Sequence, residues 1–284
     1  MSRKPTPPDR HTPPTVQRLR LRYAKRGRLR FTSHRDFQRA LERALRRAAV
    51  PMAFSAGFSP HPKISFAGAA PTGAASEAEY AELGLAVARE PEAVRTALDA
   101  ALPDGLDILE IVEARGPALA DRLQASHWVV ELPVAAADDL AEPVRAFLAR
   151  ETVEVERLTK NGRRVFDIRP AVLRLQVEDP GRAHVASVTA PGRASGTVQP
   201  VGYQVSGGAC AILQVVVRHG TPAVRPDDVL SGLRLASGFD LPMSLRATRL
   251  AQGPWDEVSG TVGDPLALDR DAAVTPIVTE AVPR

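Results

Sequence analysis

Twice along this chain the apolar residues change their spacing, and each change dictates a strand followed by a helix. In Arg18–Tyr23, Leu19 and Leu21 alternate with arginines at strand period, and after a turn over Lys25–Arg28 the segment Leu29–Phe31 reads as a second short strand. From Ser33 the period lengthens. Phe37, Ala40, Leu41, Ala44, Leu45 and Ala48 recur at three-and-four spacing, which lines one side of a helix and turns Arg35, Arg39, Glu42, Arg43, Arg46 and Arg47 toward water. Ser33 is the expected cap, with Asp36 three residues on favouring the helix dipole, and Val50-Pro51 stops the helix. Lys63–Ala67 and Ala78–Ala86 then read as strands, Glu92–Leu102 as a helix and Leu106–Glu113 as a returning strand.

The second pass repeats the order. Trp128–Leu132 reads as a strand, Asp138–Arg150 as a helix, and Thr152–Arg157 with Arg164–Ile168 as a hairpin around Asn161-Gly162, a pair suited to the primed turns that join two strands. Ala211–Val217, Arg225–Leu235 and Leu245–Leu250 supply strand, helix and strand, while 181–208, rich in Gly, Ser, Thr and Val, reads as strands with a loose connection. The predicted fold is therefore α+β, with two tandem ferredoxin-like (split β-α-β) halves carrying antiparallel sheets at 16–120 and 126–251. Proline-rich residues 1–15 and aperiodic residues 252–284 read as flexible tails.

Charge is distributed unevenly. From Val16 to Val50 twelve Lys and Arg face two carboxylates, a local net charge of +10 in a chain whose total is +4, so the remainder sums to −6. Regional basicity is the footprint of a polyanion-binding surface, although solvated helix charge has the same appearance in sequence. No run approaches the roughly 18 apolar residues of a membrane span, and the N-terminus lacks the apolar core of a secretion signal; a cytoplasmic protein without membrane contact is expected. Cys210 is the single cysteine, which excludes an internal disulfide, a cysteine zinc knuckle and the clustered thiolates of an iron–sulfur centre.

The loop after the first helix carries the densest chemistry. Gly57 permits positive φ, Pro60 and Pro62 stiffen the chain around His61, and Ser55, Ser59 and Lys63 add donors and charge, with Phe58 placed to stack on a base. The alternative is that Phe58 and Phe66 anchor the loop in the core. Together with Arg30, Ser33, His34, Arg39, Arg43, Arg46 and Arg47, these residues form the candidate ligand-binding set, which requires the helix's cationic face and the histidine turn to border one groove. No metal site is assigned, because His34 and His61 lack a third ligand. His127 and His219 have no recognisable partners in sequence, Glu77 and Glu79 read as residues of a half-buried strand, and Asp167 and Arg169 read as an ion pair fixing a turn.

The segments RLRYAKRGRLRFTSH, ERALRRA, GFSPHPKISF and SEAEYAEL, with a weaker echo in KNGRRVFDIRP, resemble the radical-SAM-linked proteins, an uncharacterised family found fused behind a radical S-adenosylmethionine domain or as a separate chain. The match covers most of Leu19–Leu250; it departs at Ala56, where an acidic residue is common, and at Ser59, where asparagine is common. The resemblance implies cooperation with a radical SAM enzyme. This chain binds no cofactor alone, so the iron–sulfur cluster and S-adenosylmethionine would belong to that partner. Three function classes follow: a non-catalytic RNA-binding or substrate-presenting module; a metal-independent endoribonuclease using His61, His34 and Lys63; and a docking partner of a separate radical SAM enzyme.

Overall fold

The computed structural model describes residues 13–133, 137–159, 162–178, 211–240 and 246–271. The protein is of mixed α+β type with mostly antiparallel strand pairing, and its described residues divide into two compact units: 13–72, 78–122 and 264–271 in the first, 73–77 and 123–263 in the second.

In the first unit β1 (Gln17–Lys25) leads to helix α1 (His34–Arg47), then β2 (Ile64–Ala67), β3 (Ala75–Leu85), α2 (Pro91–Ala101), β4 (Ile108–Glu113) and the short α3 (Leu119–Arg122). The strand order is β4-β1-β3, with β2 antiparallel on β3 from Ile64↔Leu83 to Ala67↔Tyr80. Leu19, Leu21 and Tyr23 of β1 meet Phe37, Leu41 and Leu45 of α1 in the core, and the Tyr23 and Phe37 rings stack at 4.2 Å. Ser33 caps α1 by accepting from the Asp36 amide at 3.2 Å. The helix ends in a turn with Ala49 at φ +50 and the Val50 amide donating to the Leu45 carbonyl.

The second unit contains β5 (Ala125–Leu132), α4 (Ala141–Leu148), the hairpin β6 (Glu154–Thr159) and β7 (Gly162–Asp167), then β8 (Val172–Glu178), β9 (Ala211–Arg218), α5 (Pro226–Ser237) and β10 (Arg246–Gly253). Its sheet runs β10-β5-β9-β8, and Ala75 and Ser76 pair parallel with Thr248 and Arg249. Gly162 has φ +102, as a tight hairpin turn requires, whereas Asn161 lies outside the described residues, as do Cys210 and 181–208.

Two expectations need correction. Gly27–Phe31 is a 3-10 helix and not a strand: Gly27 takes φ +54, and the Leu29 and Thr32 amides donate to the Arg26 and Leu29 carbonyls. Three residues of alternation are too few to specify a strand once glycine admits a turn. The stretch expected as a tail from 252 carries the end of β10, a two-stranded piece pairing Trp255 with Val262, and a helix over Ala267–Asp271 whose Asp269 is buried.

Candidate functional site

Four local settings in the first unit hold the candidate residues. The first is a hairpin that β-bridges Phe54 to Pro62. Ser55 closes it from both atoms: its amide donates to the His61 carbonyl at 2.8 Å, and its hydroxyl accepts from the His61 amide at 3.0 Å. Gly57 supplies φ +133 at the tip. His61, Ser59 and Lys63 are exposed, and Lys63 Nζ donates to Thr15 Oγ1 at 3.0 Å. Phe58 is 56% exposed, which overturns the alternative in which it anchors the loop. Phe54, which sequence reasoning passed over, is 41% exposed on the same hairpin. The signal for it was its position one residue before the bracing Ser55, opposite Pro62.

The second setting is the start of α1. His34 is exposed and meets Phe66 edge-on at 4.7 Å, while Phe66 packs against the core. Phe66 is thus the anchor that Phe58 is not. In the third setting, on the 3-10 turn, the Arg30 guanidinium lies 4.7 Å from the ring centre of Phe31, itself 59% exposed.

The fourth setting is a groove of about 640 Å³ lined by Ala40, Arg43 and Arg47 of α1, the capping Ala48, and Ala97, Ala100 and Ala101 of α2. Arg47 is tied to the Ala101 carbonyl. The groove lining includes neither His61 nor Lys63, nor Arg39 or Arg46. Arg39 and Arg46 remain exposed on the helix, and Arg39 has Asp36 at 3.8 Å.

The basic strand is a larger correction. Arg20, Arg22 and Lys25 are 1%, 8% and 4% exposed, and Arg20 is bound to Glu82 and Asp269; Arg18 and Arg26 pair with Glu82 and Asp107. The local charge of the sequence therefore overstates the surface charge. What remains exposed on α1 is Arg35, Arg39, Arg43, Arg46 and Arg47.

In the second unit the histidines find partners invisible to sequence reasoning. Ser126 Oγ lies 2.6 Å from His219 Nε2, and His219 Nδ1 is 2.7 Å from the Leu123 carbonyl, which fixes the proton on Nδ1 and leaves Nε2 to accept from the serine. This resembles a nucleophile–base pair, with Ser126 only 1% exposed. His127 Nε2 sits 2.5 Å from Gln214 Oε1, whose amide group donates to Glu178. Burial lowers the pKa of both histidines. Asp167 and Arg169 do not form the expected ion pair. Asp167 accepts from the Val153 and Arg169 amides, and the Arg169 guanidinium donates to the Val172 and Leu148 carbonyls. Among the described residues, no three His, Cys, Asp or Glu cluster as metal ligands and no helix is long and apolar enough to cross a membrane.

An uncharacterised protein family conserved in bacteria, DUF2344, matches residues 18–226. Among curated proteins none matches. Among solved structures, a chain of a crystal structure of a Cbf5-Nop10-Gar1 complex is similar at a TM-score of 0.43 and 13% identity, over 89% of this chain and 56% of that one. The chain therefore spans little more than half the length of that relative.

Proposed function

We propose, from the premise that the chain belongs to the DUF2344 family of uncharacterised bacterial proteins, that it is a non-catalytic module that binds single-stranded RNA through its first unit. The observation that carries this reading is the exposed Phe58 ring on a hairpin braced by Ser55, with His61 and Lys63 exposed at its closing end. An exposed aromatic on the same hairpin as the Lys63 cation is what single strands require: a base stacks on the ring, sequence-tolerantly, while a phosphate is held by the lysine. Phe54 enlarges the platform, and the free arginines of α1 extend the cationic surface. RNA is favoured over duplex DNA because a short loop with an exposed ring reads unstacked bases and has no element to lie in a major groove.

Two further parts belong to the proposal. The strand orders β4-β1-β3-β2 and β10-β5-β9-β8, with helices α1, α2 and α4, α5 in the crossovers, support two ferredoxin-like halves. The resemblance to radical-SAM-linked proteins supports a radical SAM enzyme as the partner to which the RNA is presented; that partner would supply the cluster and S-adenosylmethionine.

The test is fluorescence anisotropy with labelled single-stranded oligoribonucleotides. Phe58→Ala is expected to weaken binding by about 1–3 kcal/mol, while leaving the unfolding midpoint in place because the ring is exposed. Equal affinity of variant and wild type overturns the reading. Cleavage of the probe without metal, abolished by His61→Ala, would instead establish the endoribonuclease.

A further inference from the structure

A heavily coordinated carboxylate of the first unit comes from the segment that sequence read as a tail. Asp269 is fully buried and receives donors on every side. Arg20 Nη1 reaches its two oxygens at 2.9 and 3.1 Å, Arg122 Nη1 and Nη2 reach them at 2.8 and 3.2 Å, and the Arg115 amide donates at 2.8 Å. These donors were assembled by other parts of the unit. Gly116, at φ +61, turns the chain so that the Arg115 amide faces Asp269 while the Arg115 carbonyl accepts from both Arg20 and Arg122. The Pro117 carbonyl holds Arg20 Nη2 at 2.7 Å, and Glu82 holds Arg20 Nε at 3.0 Å. Arg20 is thus oriented by groups outside 264–271, while Arg122 is held by the Arg115 carbonyl and, at 2.8 Å, by the carbonyl of Pro265.

Two oriented guanidiniums and a main-chain amide converging on one anion are the donor set of an oxyanion site. Its present occupant is delivered by a five-residue helix, too short to be stable alone, held besides by buried Leu266 and by Arg270 on Glu110. We propose that Arg20, Arg122 and the Arg115 amide form a phosphate-binding cradle that Asp269 occupies as an internal competitor, so that 264–271 is a strap displaced when a phosphate group binds. The cradle is separate from the Phe58 hairpin and does not depend on the RNA reading.

Full-length Asp269→Ala tests it by chemical rescue. Removing the carboxylate leaves two buried guanidiniums facing an empty position, and inorganic phosphate at ten times its dissociation constant is expected to raise the variant's Tm by roughly 3–5 °C, with little change for wild type. The double variant Arg122→Gln/Asp269→Ala should lose the rescue. A folded Asp269→Ala protein whose Tm ignores phosphate overturns the cradle. If Asp269→Ala does not fold, tryptic cleavage of the wild type at Arg270 decides: inorganic phosphate or a 5′-phosphorylated oligoribonucleotide at the same multiple should speed it roughly tenfold. Acceleration by the oligonucleotide alone assigns the cradle to a polymer end, acceleration by both to the phosphate group itself, and acceleration by neither overturns the proposal. Phe58→Ala should leave the readouts with inorganic phosphate unchanged.

Discussion

Burial of His127 and His219 in the folded chain appears as pH dependence of its stability. Burial disfavours the imidazolium of both, so their folded pKa values fall below the ordinary 6.5; at His127 the Gln214 contact, and at His219 the Leu123 carbonyl, oppose part of that fall, while Arg174 and Arg249 respectively add to it. Below that ordinary value the unfolded chain takes up protons that the folded chain refuses. Stability contributed by the neutral histidines is therefore fully present above pH 6.5 and declines as pH falls toward the folded values, by at most about 1.4 kcal/mol per pH unit for each residue. Urea denaturation at about pH 7.5 and about pH 5.5 should show this loss, and His127→Gln should make it shallower by up to one residue's share. Equal slopes for variant and wild type would remove His127 from the account.

Among the elements, the contact of α4 with α5 turns on one missing side chain. A Cβ at Gly232 would lie 2.8 Å from Ile168 Cδ1, 2.9 Å from Phe147 Cε2 and 3.0 Å from Val153 Cγ1, all inside a packed core. Two effects compete. Alanine in mid-helix gains about 1 kcal/mol over glycine by propensity, whereas overpacking a core costs about 1–3 kcal/mol. Three simultaneous clashes on side chains that are themselves enclosed make the second effect larger, and Gly232→Ala is expected to lose about 1–2 kcal/mol in a denaturant titration. A more stable variant would mean that α5 shifts freely on α4.

The same scale explains what could be read from sequence. α1 was legible to its cap because its stripe, Ser33 and the Val50-Pro51 stop all act within a few residues. The β6–β7 hairpin was legible from its turn for the same reason. The environment of β1 was not. Leu-Arg alternation specifies a strand with one apolar face, but whether the arginines meet water depends on Asp269, 249 residues away from Arg20. The Ser126–His219 contact likewise spans 93 residues. Within the candidate site, sequence located the hairpin residues and the exposed helix arginines; it missed Phe54 and did not show that the strand arginines Arg20 and Arg22 are buried.

For the whole molecule, the decisive quantity is how many cations a polyanion meets, and salt dependence measures it. Single-stranded binding weakens with salt at a log–log slope of about −0.7 for each phosphate neutralised. If all twelve basic residues of 18–47 were surface charge, the slope would approach roughly −8. The fold removes half of them: Arg20, Arg22 and Lys25 are buried, Arg18 and Arg26 face carboxylates, and Arg47 is engaged by the Ala101 carbonyl. Arg28 and Arg30 of the 3-10 turn, Arg35, Arg39, Arg43 and Arg46 of α1 and Lys63 of the hairpin leave seven contacts, and the expected slope is about −5. Arg39→Gln should reduce it by about 0.7 without moving the unfolding midpoint, since an exposed pair at 3.8 Å adds little to stability. Arg20→Gln should do the opposite, lowering the midpoint by uncovering Asp269 and Glu82 while leaving the salt slope unchanged. A slope near −8, or a slope that responds to Arg20 and not to Arg39, would mean that the nucleic acid engages the strand face after the strap has opened, and would move the binding surface from α1 to the cradle.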